Sequence, residues 1–495
     1  MPRVVVRSYV DPADREVLLE PRRDLVVEER AGDGRFVAVV GPVSSYERRI
    51  DGQTQTVEFE LAVPYWWWLF VWAFKRRIAR PPRDLPWWAP PEPMDARASS
   101  AVASLAALGV VLGYLNTLFT QTIAFAGEEF GAGDSAQGIA GSVVRLGGLL
   151  ALVIVALADR RGRRTTLLTA SFAGCVLAVT GAVAPSLPWL TGSQTVARGC
   201  ATALLLLVGI VAAEEVPARA RAYAVSLLAM ATGLGAGLAI IALKLADLGD
   251  RGWRLLYVLP VLGIPLVLSV RRHLTESRRF LAPHPDVPIA GHGRRLWLLG
   301  ASGFLGNLFI APQGQFANRY LRTEHGYSAG RISLLSVTTG APGIIGIVVG
   351  GRMADLRGRR RVASIALLGG TLCTVAFFFA SGLGLWAWPL MGTMLNAATV
   401  PALGVYGPEL FPTSLRGRAN GLAGMAGLAG SASGLALAGI LGDHFGRLGP
   451  AMAILATGPL LVAALIALAY PETAGKELEE LNPEDSPPPP PALLG

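Results

Sequence analysis

Ala158-Asp159-Arg160-Arg161-Gly162-Arg163-Arg164 returns later in the chain as Ala354-Asp355-Leu356-Arg357-Gly358-Arg359-Arg360, with six of seven positions alike (355 − 159 = 196). Two further pairs keep the spacing. Glu214-x-x-Pro217-x-x-x-Arg221 returns as Glu409-x-x-Pro412-x-x-x-Arg416 (409 − 214 = 195), and Thr275-Glu276-Ser277 as Pro471-Glu472-Thr473 (472 − 276 = 196). Three matches at one spacing mark a duplicated unit.

Each shared string ends an apolar stretch. From about residue 100 such stretches, roughly 18–22 residues long, follow one another, each long enough to cross the hydrocarbon core as a helix. About twelve are countable, near 101–125, 137–157, 165–184, 196–213, 222–243, 255–270, 296–317, 332–350, 362–381, 385–405, 419–441 and 450–470. At 52% hydrophobic residues over 495, the chain is too apolar for an ordinary soluble domain. The expected fold is an all-α membrane protein with two six-helix bundles, 100–270 and 296–470. A loop, 271–295, joins them, and the repeat is parallel about the membrane normal.

The net charge of +9 lies in the breaks between apolar runs, so it speaks of topology, not of nucleic acid. With the N-terminus inside, the inner loops hold Arg160, Arg161, Arg163, Arg164, Arg219, Arg221, the cluster of 271–295, Arg352, Arg357, Arg359, Arg360, Arg361, Arg416 and Arg418. The outer breaks hold Lys244, Arg251, Arg254, Arg319, Arg322 and Arg447, roughly a threefold asymmetry. A multi-pass protein of the cell membrane is expected, with both termini cytoplasmic. Cys175, Cys200 and Cys373 fall inside apolar segments and form no disulfide framework. The N-terminus shows no signal-peptide pattern.

Residues 1–62 alternate polar and apolar, with turn signals at Gly32-Asp33-Gly34 and Asp51-Gly52. They predict a small β-rich cytoplasmic module of antiparallel hairpins, short for a core of its own. In 63–99 the apolar run YWWWLFVWAF is too short to span. Its tryptophans, followed by Lys75-Arg76-Arg77, fit a segment lying at the headgroups, and a Pro-rich linker follows. The tail, 471–495, ends in SPPPPPALLG and reads as unstructured.

A carboxylate at a helix end can cap a neighbouring helix's free N–H groups or pair with an arginine of the next loop. Asp159, Arg160, Gly162, Arg163, Arg164, Glu214 and Arg221 in one copy, and Asp355, Gly358, Arg359, Arg360, Glu409 and Arg416 in the other, are therefore candidate cytoplasmic gate elements. Their bonds would close that side as the halves approach.

These strings resemble the major facilitator superfamily over roughly residues 100–481. Its loop after the second helix reads G-x-x-x-D-R-x-G-R-R. The second copy here keeps Gly351 but has Leu356 for the first Arg, and the first copy has Val155 for Gly. Pro408-Glu409-Leu410-Phe411-Pro412-Thr413-x-x-Arg416-Gly417, Glu276-Ser277-Arg278-Arg279-Phe280 and Pro471-Glu472-Thr473-Ala474-Gly475 resemble the sugar porters and their metabolite–proton symporter relatives. There are departures. The seventh helix has Gln313 and Gln315 instead of a Gln-Gln pair, and the first has Gly113-Tyr114-Leu115-Asn116 without an acid. The fifth, ATGLGAG at 231–237, lacks the run associated with drug antiporters.

Polar groups within apolar helices are costly and usually face a wet interior. Asn116, Gln121, Arg145, Arg198, Asn307, Gln313 and Asn396 are thus candidate substrate contacts, alongside Thr117, Thr120, Gln315, Asn318 and Tyr406. The resemblance places helices 1, 4, 7 and 10 around a central cavity. Arg145 and Arg198, shifted by 196, land on Ala341 and Met394, so neither belongs to the repeated scaffold. They lie 14 and 16 residues from Asp159 and Glu214, about 21 and 24 Å along a helix, which suggests the outer half. There each could bind a substrate carboxylate or pair with Glu128, Glu129 or an outer Asp. Arg198-Gly199 also resembles a helix 4 arginine tied, in many family members, to proton coupling.

The expected function is secondary transport of a small organic solute, an anionic metabolite or a sugar, by alternating access. The lipid bilayer and the solute are its partners, a monomer is expected, and no cofactor or metal is implied. Proton coupling stays open, because the acids near the membrane lie at helix ends. No nucleotide loop, metal cluster or nucleophile elbow suggests an enzyme. An amphiphile exporter of the same fold and a non-transporting membrane sensor are the rivals.

Overall fold

The computed structural model describes the chain except residues 1, 12–13, 82–85, 87, 91, 218–219, 277–291, 405, 407–409, 412–415 and 473–495. Most of the central loop, Glu409 and nearly all of the tail therefore lie outside the described residues.

The repeated unit is a six-helix bundle. The first copy comprises α1 (Ala96–Glu129), α2 (Asp134–Ala158), α3 (Arg163–Val183), α4 (Leu187–Glu215), α5 (Arg221–Ala242, continued by a tight turn Leu243–Leu248) and α6 (Arg254–His273). The second comprises α7 (Gly293–Thr323), α8 (Ala329–Gly340, broken and resumed over Gly343–Arg357), α9 (Arg359–Phe377), α10 (Gly384–Gly404), α11 (Arg416–Phe445) and α12 (Leu448–Ala469). Nine helices among the described residues are long and apolar enough to cross a membrane. In α7 the shortfall has a cause: Asn307, Gln313, Gln315, Asn318 and Arg319 interrupt the apolar run. Equivalent helices pack alike, α1 against α5 and α7 against α11. Gly113 and Gly235 let α1 touch α5 backbone to backbone. A Cβ at either would lie 1.9 Å from a carbonyl oxygen, of Thr232 or Val110.

The two repeated turns, Asp159–Arg164 and Asp355–Arg360, stand at one end of the bundle, here the motif face; the opposite end is the far face. Before α1 comes an antiparallel sheet, β1 (Val4–Tyr9), β2 (Val27–Gly32), β3 (Arg35–Val40), β4 (Val43–Asp51) and β5 (Thr54–Leu61), in the order β1-β5-β4-β3-β2. The expected turns close two hairpins, with Gly34 at φ +63° and Gly52 at φ +61°.

The sheet does not form its core alone. A helix over Trp67–Ile78 gives it Phe74 and Ile78, and Phe59 meets Phe74 at 4.8 Å between ring centres. Arg22, fully buried, pairs with Asp24 at 2.9 Å and donates to the carbonyl oxygens of Ile78 and Arg80. It thus satisfies carbonyls left free at that helix's end. At twelve residues the helix is about 18 Å long, too short to span. Trp68 and Trp72 stay exposed, and Arg76 of the last turn lies over the Trp72 ring at 5.4 Å.

Candidate functional site

The halves meet toward the far face. A Cβ at Gly138 would lie 2.4 Å from the carbonyl oxygen of Leu435, and one at Gly439 2.3 Å from that of Asp134, so α2 and α11 cross in backbone contact. Ser142 donates to the carbonyl of Ala432 at 2.6 Å. Asn318 donates to Gln121, and Gln315 to the carbonyl of Gln137. Nearer the surface, Arg319 pairs with Asp134 and Arg322 with Glu128, both at 2.7 Å.

Two carboxylates complete this closure. Asp443 on α11 accepts from the N–H groups of Asp134 and Ser135, which open α2. Asp247 at the end of α5 accepts from those of Ala329 and Gly330, which open α8. An acid at a helix N-terminus meets free donors and the positive end of the helix dipole. Each carboxylate belongs to one half and caps a helix of the other. Glu128 and Glu129 pair not with Arg145 or Arg198 but with Arg322 and with Arg251 and Arg254.

At the motif face the shared strings have a different geometry. Glu276 accepts from the N–H groups of Arg163 and Arg164, which open α3; Glu472 accepts from those of Arg359 and Arg360, which open α9. These are helix caps, as the sequence suggested, but each joins two elements of one half. They brace the turn within a bundle and do not tie one bundle to the other. The turn explains its glycine. Gly162 and Gly358 have φ of +96° and +93°, and a Cβ would lie 2.8 and 2.7 Å from the glutamate oxygen. Arg164 donates to the carbonyl of Arg271. Glu215, the neighbour of Glu214, pairs with Arg97 of α1 at 3.0 Å. Asp159, Arg160, Glu214, Arg221, Asp355 and Arg416 stand on helices whose backbone is described, but their side chains, like Glu409 as a whole, lie outside the described residues.

Between the two faces, Thr120, Gly141, Arg145, Gln194, Arg198 and Gln315 line one small pocket together with Leu115, Phe119 and Val144. Arg145 is 11 residues from the start of α2 and 13 from its end (145 − 134; 158 − 145), and Arg198 is 11 from the start of α4 (198 − 187). Arg198 is 17 residues from the end of α4 (215 − 198), so both stand a little to the far-face side of mid-span. Arg198 donates to the carbonyl of Asn116 at 2.6 Å, and each guanidinium lies in the other's field. Arg145 makes no hydrogen bond or ion pair with a described residue. No carboxylate of the described residues lines the pocket.

The other expected contacts are placed elsewhere. Gln121 belongs to the seam. Asn307 accepts from Ser431 and Asn396 donates to Thr374, both within the second bundle. Gln313, half-buried on α7, does not line the pocket. Asn116 does not line it; its carbonyl accepts from Arg198. Gln194, which the sequence reading missed, lies four residues before Arg198, on the same face of α4.

The sequence profile of the Major Facilitator Superfamily matches residues 103–311 and again 296–494. The chain belongs to that superfamily. The double match falls on the two halves. A bacterial homologue of the human lysosomal transporter Spinster, inward-facing and unoccupied, superposes with a TM-score of 0.65 at 15% identity, covering 80% of this chain and 99% of that one. The xylose transporter XylE from E. coli, inward open, gives 0.65 at 20% identity over 78% and 99%. A point mutant of the nucleoside transporter NupG gives 0.63 at 12% over 74% and 98%. At these identities the likeness is one of fold. Comparison with curated protein sequences finds no match. As a superfamily member the chain is a multi-pass secondary transporter that moves a small solute across a membrane by alternating access.

Proposed function

We propose that this transporter carries a small organic anion, that Arg145 and Arg198 bind its acidic group, and that the conformation described is the inward-facing one. The observation that carries the reading is the unopposed pair of arginines at mid-span. A charge inside the span without a counter-ion is expensive, and a protein keeps it where a ligand of opposite sign completes the site. Gln194, Thr120 and Gln315 supply neutral hydrogen-bonding groups around the pair. The motif face takes the cytoplasmic side, because the Lys/Arg excess lies there. With the far face sealed by both ion pairs and both caps, the pocket would be reached from the motif face.

The gate assignment follows. Arg163, Arg164, Arg359 and Arg360, braced by Glu276 and Glu472, would present Asp159, Arg160, Asp355, Glu214, Arg221, Glu409 and Arg416 to the opposite half as the motif face closes.

Uptake into proteoliposomes tests the reading, using a panel of radiolabelled mono- and dicarboxylates, phosphorylated metabolites and neutral sugars, with and without a pH gradient. Saturable flux of at least one anion, lost in Arg145→Gln and Arg198→Gln, is expected. The gradient arm reports proton coupling. Flux of neutral sugars alone, undiminished in both variants, would overturn the anion reading.

A further inference from the structure

A second cavity, of about 830 Å³, lies beside α1 toward the motif face. Three bodies wall it. The N-terminal module and its helix give Leu61, Trp66, Phe70 and Phe74; α1 and α5 give Ala103 and Gly233; and α8, from the other half, gives Ile344 and Ile347. Direct bonds hold the module there: Trp66 donates to the carbonyl of Ala103, Tyr65 to Ser269, and Tyr223 of α5 to the carbonyl of Trp88. The cavity lies apart from the arginine pocket and shares no lining residue with it.

We propose that this cavity holds one acyl chain of a bilayer phospholipid, a resident lipid and not the transported solute. Three observations point to that occupant. The lining is almost entirely apolar, and its size is that of a ligand site. It runs without a step onto the exposed apolar surface of α5 and α8, where Met230, Leu234 and Ile344 are 70%, 50% and 69% exposed, so a chain can enter sideways from the bilayer. The helix over Trp67–Ile78, which gives Leu69, Phe70 and Phe74 to the lining, ends in the exposed cations Lys75 and Arg76, partners for the phosphate of a headgroup.

The occupant has a consequence for the cycle. Its walls belong to both halves, so rocking α8 relative to α5 must reshape the cavity. A lipid seated there favours the conformation described, by its differential affinity for the two states.

Photolabelling of the full chain in nanodiscs tests this, with a phosphatidylcholine carrying a diazirine at the end of one acyl chain. Peptides spanning 99–106 and 229–234 should be labelled preferentially over the lipid-facing surface around Ile365 and Leu461, and excess unlabelled phosphatidylcholine should compete. At Gly233 a Cβ meets nothing within 4 Å, so Gly233→Trp fills the cavity without displacing backbone. It should cut labelling at 99–106 by about tenfold, the factor that losing burial of roughly two methylene groups produces, and leave labelling around Ile365 unchanged. Labelling at 99–106 no stronger than at Ile365, or unmoved by Gly233→Trp in protein of wild-type melting temperature, overturns the proposal. Neither outcome depends on whether the solute is an anion.

Discussion

Asp247 and Asp443 stand 196 residues apart and hold equivalent places in the two bundles, and each caps a helix of the opposite half, with oxygen to nitrogen distances of 2.6 to 2.9 Å. The far face is therefore closed by a symmetric pair of bonds between a fixed charge and a helix terminus. A charged hydrogen bond of this kind contributes about 1.5–3 kcal/mol, and the dipole adds roughly 0.3–1. Asn in place of Asp keeps the shape and loses the charge. Asp247→Asn and Asp443→Asn should each move the equilibrium toward the far-open state by about tenfold, and the double variant further. Spin labels on Leu248 and Leu383, both exposed, would report it as a longer far-face distance in double electron–electron resonance. An unchanged distance distribution in the double variant would remove the clasps from the mechanism.

The two ion pairs of the seam should count for less. Arg322 and Glu128 are about a third exposed, so solvent screens them, and a value of roughly 0.2–1 kcal/mol is expected. Arg319 and Asp134 are more enclosed, and Asp134 also carries the backbone N–H that Asp443 accepts. Charge reversal separates the two. Arg322→Glu should shift the far-face distance slightly and only at low salt. Arg319→Asp should shift it at any salt and be rescued by Asp134→Arg. Equal, salt-dependent effects at both positions would contradict this ranking.

Much of this architecture was legible because the duplication repeats residues whose geometry is fixed. Gly162 and Gly358 are shared because no other residue suits a φ near +95° against a glutamate. Glu276 and Glu472 are shared because each closes that turn. The far-face clasps carried a signal too. Leu245-x-Asp247-x-x-x-Arg251 and Leu441-x-Asp443-x-x-x-Arg447 match at 196, and Arg251 and Arg447 reach equivalent acids, Glu129 and Glu324. Too few letters agree to stand out among loops. The pocket was legible only in part. Arg145 and Arg198 declared themselves as charges in apolar runs, whereas Asn307 and Asn396 carry the same polarity and spend it between helices of one bundle. One-dimensional periodicity does not distinguish a helix face turned to the cavity from one turned to a neighbour.

At the motif turns the prediction concerns stability. Gly162→Ala puts a Cβ into the left-handed region, at roughly 1–2 kcal/mol, and against the Glu276 carboxylate. Removing the glutamate removes the collision and leaves the backbone strain. Gly162→Ala combined with Glu276→Ala should therefore melt at a higher temperature than the sum of the single effects, with a coupling of about 1 kcal/mol. Gly358 and Glu472 should behave alike. Strict additivity in thermal melts of the detergent-solubilised protein would show that the cap and the glycine act independently.

The two arginines make different predictions, although both face the pocket. Arg198 is engaged by the carbonyl of Asn116, so it serves the fold as well as the solute. Arg145 has no such bond among the described residues, and its charge is a cost the empty protein carries. Arg198→Gln should then lower the melting temperature of the ligand-free transporter, whereas Arg145→Gln should leave it unchanged or raise it, by the equivalent of up to about 1–3 kcal/mol. Ligand reverses the order. A transported anion at a hundredfold excess over its dissociation constant stabilises the wild type by about 2.7 kcal/mol, since it binds the folded state alone. Arg145→Gln should abolish that gain while keeping its own higher baseline. A site residue exchanges stability for binding in this way, and a structural one does not. A lowered baseline in Arg145→Gln, with the ligand-induced gain intact, would assign Arg145 to the scaffold and leave the anion site to be sought elsewhere.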